Sequence, residues 1–159
     1  MQPPENPLET KFIPFGNKGL SEIPEWVFQC KNVEHIDFTS NKIKEIPERL
    51  YELIKLKELS FTGNLLTSIT PGISKLQNLR ELYISSNHLT EIPKEIFELR
   101  NLDVLCISGN NYTILPDEII NLKNLKKITL TNIQNIPPEI IEKSNKSQIT
   151  FETWSLLRV

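Results

Sequence analysis

The chain has 159 residues, 38% of them hydrophobic and 24% charged, enough for one ordinary domain with a substantial core. Eighteen Lys and Arg against twenty Asp and Glu leave a formal charge of −2, so no global field collects nucleic acid or an anionic membrane surface. No apolar run approaches the roughly 20 residues that span a bilayer, so neither nucleic-acid binding nor membrane insertion is expected.

The opening segment, MQPPENPLETKF, has no basic stretch followed by an apolar one. As written the chain reads as cytoplasmic, and a signal peptide removed upstream would make it an exported protein instead. Residues 1–32 read as an N-terminal cap with a first atypical repeat: a strand at Ile13-Pro14-Phe15, then Lys18, Leu20 and Ile23-Pro24. From there the chain is periodic. Val33, Leu56, Leu79, Leu102 and Leu125 recur every 23 residues, each followed three and five positions later by apolar residues such as Ile36 and Phe38 or Leu82 and Ile84. Asn41, Asn64, Asn87 and Asn110 stand eight residues after each opening position, and Ile43, Leu66, Leu89 and Tyr112 two further on. An Ile-Pro or Leu-Pro step closes each unit except at Ile69-Thr70, and apolar residues follow at helical spacing, as in Leu50 and Leu53 or Ile96 and Leu99. Residues 33–124 thus hold four regular repeats, and 125–159 a shortened repeat and a C-terminal cap, with Asn132-Ile133 in place of the longer turn. In the cap, Ile149 and Phe151 restart the pattern, and Trp154, Leu156 and Leu157 supply apolar cover.

Within each unit the period-2 alternation predicts a short strand, with Leu and Ile inward and the residues between them outward. The segment after each Pro predicts a short helix, with Pro at its first position. Glu25, Glu48, Glu95, Asp117 and Glu139 open these helices and Lys31, Lys75, Arg100 and Lys123 close them, which suits the helix dipole. Asn32, Asn78, Asn101 and Asn124 then stand where left-handed capping residues are expected. Phe28, Tyr51, Phe97 and Ile120 recur on the helical side and read as packing between neighbouring helices.

These repeats, LxxLxLxxNxLxxIPxxIxxLxx, resemble the leucine-rich-repeat family in its 23-residue form, over roughly residues 10–152. Ras-suppressor-like eukaryotic and leptospiral bacterial members are similar, and the Ile, Lys and Asn richness favours the bacterial type. The resemblance implies an α/β solenoid of about six to seven coils, with parallel strands on the concave face, short helices on the convex face, and the repeated Asn forming a hydrogen-bond ladder between turns.

Chemistry for catalysis is sparse. Cys30 takes a core slot, while Cys106 faces outward from a strand. Four strand steps of about 4.8 Å separate them by roughly 19 Å, beyond the ~7 Å a disulfide allows. Cys106 and His35 lie about 14 Å apart on the same reasoning, and no HExxH, CxxC or glycine-rich phosphate loop is present. No enzyme, metal or cofactor is expected.

Three outward columns carry what remains, and the third of them, Gly16, Thr39, Thr62, Ser85, Ser108, Thr131, is almost all Ser or Thr, which suits exposed strand positions. The first runs Phe12, His35, Glu58, Glu81, Val104, Lys127, and the second Pro14, Asp37, Ser60, Tyr83, Cys106, Thr129. Glu58 beside Glu81 is unfavourable unless something offsets the like charges, and Tyr83, Val104 and Cys106 adjoin them as an apolar cluster. An aromatic next to acids suits a basic partner. The candidate partner-binding residues are therefore His35, Asp37, Glu58, Ser60, Glu81, Tyr83, Val104, Cys106 and Lys127. The expected function is a monomeric module for protein–protein interaction, and the alternative is a self-assembling repeat protein that associates through its solenoid ends or edges.

Overall fold

The computed structural model describes residues 2–131, 133–134, 136–146 and 150–153. Asn132, Ile149, Trp154, Leu156 and Leu157, on which part of the expected C-terminal cover rests, lie outside them, as does the side chain of Phe151.

Seven strands form one parallel sheet in chain order: β1 (Phe12–Pro14), β2 (His35–Asp37), β3 (Glu58–Ser60), β4 (Glu81–Tyr83), β5 (Val104–Cys106), β6 (Lys127–Leu130) and β7 (Thr150–Thr153). Each strand pairs with its counterpart one repeat away, so Ile13, Ile36, Leu59, Leu82, Leu105 and Ile128 fall in one register row and are all buried. A second buried row stacks Phe15, Phe38 and Phe61, with ring centroids 5.8 Å and 5.0 Å apart. A single coil could not cover its own apolar edge. Each coil is stabilised by its neighbours.

The helical side differs from the expectation. Among the described residues, five of its segments are 3-10 helices of five residues (Glu25–Gln29, Glu48–Glu52, Pro71–Lys75, Lys94–Glu98 and Asp117–Asn121), and only α1 (Pro138–Asn145) is α-helical. The 23-residue period leaves too few residues between Pro and the next strand for more than one tight turn. Pro24, Pro47, Pro93 and Pro116 stand just outside the helices in extended conformation rather than at the first helical position, which only Pro71 and Pro138 hold. The acids do open these turns, but Lys31, Arg100 and Lys123 lie past the helix ends.

The Asn residues fall into two ladders. In the expected one, Asn64 Nδ2 donates to the carbonyls of Phe38 and Phe61 at 2.9 and 3.0 Å while its Oδ1 accepts from Ile43 N at 3.0 Å, and Asn41, Asn87 and Asn110 repeat the arrangement. The second corrects the sequence reading. Asn32, Asn78, Asn101 and Asn124 are not left-handed caps; their amides donate to the carbonyls of Leu8, Ile54, Gln77 and Arg100 in the preceding coil at 2.8 to 2.9 Å. The left-handed position instead lies just before each ladder Asn, at Ser40, Gly63, Ser86 and Gly109. Gly63 and Gly109 adopt it without the steric cost that a Cβ brings.

Phe28, Tyr51 and Phe97 are buried and Ile120 is packed against the core, so the convex stripe is interior packing. Burial pushes the Tyr51 hydroxyl up to about 12. Cys30 fills its core slot, and burial also raises its thiol above the ordinary value. Among the described residues, no helix is long and apolar enough to cross a membrane.

Candidate partner-binding face

The strand pairing assembles the first two outward columns as the alternation requires. His35, Glu58, Glu81, Val104 and Lys127 align in one register row, and Asp37, Ser60, Tyr83 and Cys106 in the other. All nine candidate residues therefore share the strand face.

They are not equally accessible. His35, Asp37, Glu58, Glu81, Tyr83, Val104 and Lys127 are half-buried, whereas Ser60 and Cys106 are only 7% and 8% exposed. This corrects the expectation that Cys106 is an open strand residue. In register, Tyr83 stands between Ser60 and Cys106. On the inside of a curved sheet side chains converge, so short ones beside a tyrosine are covered.

The two like charges take separate partners. His35 Nδ1 lies 3.1 Å from Glu58 Oε2, and the Tyr83 hydroxyl donates to the Glu81 carboxylate. Burial first, and then that hydrogen bond, raise the Tyr83 hydroxyl above its ordinary value, so it stays a donor. Asp37 Oδ1 accepts from Thr39 N at 2.8 Å, and Gly16 makes room for it, since a Cβ there would stand 2.9 Å from Asp37 Oδ2. Hydroxyls join along one side, with Thr39 Oγ1 2.8 Å from Ser60 Oγ and Ser108 Oγ donating to Ser85 Oγ at 3.1 Å.

A fourth column is not among those read from the sequence. Lys11, Glu34, Lys57, Arg80, Asp103 and Lys126 stand one residue ahead of the strands, and their acids are ion-paired on both sides: Glu34 with Lys11 and Lys57, Asp103 with Arg80 and Lys126. Its signal in the sequence is a charge at each 23-residue step.

A crevice of about 470 Å³ lies between neighbouring coils on the helical side and is lined by Arg100, Lys123 and three Asn among others. Among the described residues, no cluster of three or more His, Cys, Asp or Glu is placed to hold a metal ion.

Two family models divide the chain: the BspA type Leucine rich repeat region (6 copies) matches residues 10–73, and Leucine rich repeat matches residues 77–136. The chain is a leucine-rich-repeat protein. Among solved structures, this leucine-rich-repeat protein is similar to one from Leptospira interrogans (TM-score 0.59, 21% identity, 96% of this chain and 54% of that one) and to the plant peptide hormone receptor RGFR1, solved in complex with RGF2 (TM-score 0.69, 33% identity, 82% of this chain and 22% of that one). The leptospiral likeness is one of fold. The chain spans about half the length of the first relative and under a quarter of the second. No curated protein matches it. The leucine-rich-repeat assignment makes a protein-interaction module the general class of this chain.

Proposed function

We propose that this leucine-rich-repeat protein acts as a monomer that takes a protein partner on its concave strand face, centred on Tyr83 with Glu58 and Glu81, and that it is not an enzyme. The observation that carries this reading is that the other recurrent features have structural uses. Both Asn ladders satisfy backbone groups, the convex aromatics are interior, and the rim charges pair with each other. Tyr83 covers Ser60 and Cys106 yet stays half-exposed, and the half-exposed Glu58 and Glu81 beside it have no packing duty. The likeness to a receptor solved with a peptide hormone supports a protein partner in general.

The test uses a partner captured from the source cell. Tyr83→Ala should weaken its binding by about 2 kcal/mol or more if the tyrosine is the anchor, and Glu58→Lys with Glu81→Lys should chiefly slow association. Circular dichroism serves as the folding control, and Ile54→Ser, at a 55% exposed position away from the strands, as the surface control. Wild-type binding by both strand-face variants, with loss in the control, would move the functional surface to the helical side.

One observation favours self-assembly instead: β1 is an edge strand and carries Phe12 at 57% exposure. Light scattering over a concentration series separates the readings, because self-assembly requires growth in mass.

A further inference from the structure

The acids of the strand side fall into two populations. On the rim, Glu34 and Asp103 are each clamped between two cations from the neighbouring coils. On the inner columns, Asp37 takes a backbone N–H, Glu58 an imidazole and Glu81 a phenol. Among the described residues, no Lys or Arg pairs with any of the three. The rim thus sets four cations against two acids, while the floor beside it carries three carboxylates whose partners are a backbone amide, an imidazole and a phenol. The negative charge ends along the row: Glu58 and Glu81 on β3 and β4 are followed by Val104 on β5 and then by Lys127 on β6.

We propose, on the footing of the concave-face reading above, that the occupant is an extended peptide segment crossing the strands with Lys or Arg at alternate positions and an apolar residue two positions beyond. Neighbouring strands are about 4.8 Å apart, and alternate residues of an extended chain about 6.6 Å. A long cationic side chain takes up the ~2 Å difference per step, so residues i and i+2 meet Glu58 and Glu81 while i+4 rests on Val104 and Tyr83. Asp37, one strand before Glu58, adds negative potential at the start of the track. The three acids cover only β2 to β4, about 10 Å by the same spacing, which fits two cationic side chains better than the broad surface of a basic domain.

Three synthetic peptides test this against the 159-residue chain by amide NMR titration: Lys-Ser-Lys-Ser-Leu, the composition-matched Lys-Lys-Ser-Ser-Leu, and Glu-Ser-Glu-Ser-Leu, all with blocked ends. The first should shift amides of β2 to β5 in a saturable way and bind at least fivefold tighter than the second, with no binding by the third. Glu58→Gln with Glu81→Gln should weaken it at least tenfold, and Glu98→Gln on the helical side should leave it unchanged. The proposal is overturned by the absence of saturable shifts at millimolar peptide, by equal binding of the two lysine peptides, or by equal binding to the double variant. Each of these outcomes leaves the concave-face reading to be judged by the captured partner and Tyr83→Ala, so the two can fail separately.

Discussion

Glu58 and Glu81 are register partners on adjacent strands, yet their carboxylates turn to different neighbours, one to His35 and the other to Tyr83. Two like charges one strand apart are thereby held without a cation between them. The cost of that arrangement is borne by the coils on either side, whose ladders and apolar rows fix the strands in place.

The ladder residue Asn87 shows how strongly. Its amide donates to the carbonyls of Phe61 and Ile84, and its oxygen accepts from Leu66 N at 3.0 Å, all in a buried turn. Asn87→Ala should cost about 3 kcal/mol or more, since each buried group left without a partner costs about 1–3 kcal/mol. Urea unfolding measures this. Asn110→Ala, in a half-exposed turn, should cost less.

Tyr51 and Gly72 form a second test. Tyr51 is fully buried, and a Cβ on Gly72 would stand 2.6 Å from its ring. Gly72→Ala is expected to lower stability by about 1–3 kcal/mol through overpacking, read as a lower midpoint in a thermal melt.

The cysteines are both thiols and both buried. A thiol reagent should modify neither quickly in the native protein and both at once in denaturant, with Cys106 reacting first on slow exposure because it lies at the surface of the strand face while Cys30 is fully enclosed. Rapid native labelling of Cys106 would mean that Tyr83 does not cover it.

Acid should act through Glu34. Hydrogen bonds from Lys11 first and then Lys57 hold its carboxyl down to about 2, against an ordinary 4.5. The folded value lies below the unfolded one, so this contribution is complete above pH 4.5 and is lost as the pH falls toward 2. Glu34→Gln should flatten the acid limb of the stability curve in that window, and less so in high salt, because exposed pairs are screened. An identical acid limb in the variant would show that the pair contributes nothing to folding.

The sequence by itself determined the coil: the 23-residue register, the inward Leu and Ile rows, the ladder Asn at 41, 64, 87 and 110, and the composition of the outward columns. These were legible because a solenoid repeats one local environment, so the same side-chain requirement recurs at a fixed interval. Tertiary structure alone decided how neighbouring coils meet. Asn32, Asn78, Asn101 and Asn124 were misread as caps because their partners are carbonyls of the preceding coil, 24 residues back, and spacing within one unit cannot show them. The helices shrank to single 3-10 turns because the distance to the next strand, not the spacing of apolar residues, sets their length. Ser60 and Cys106 alternate correctly yet are covered, since alternation gives the direction of a side chain, while its exposure depends on the size of the residues one strand away.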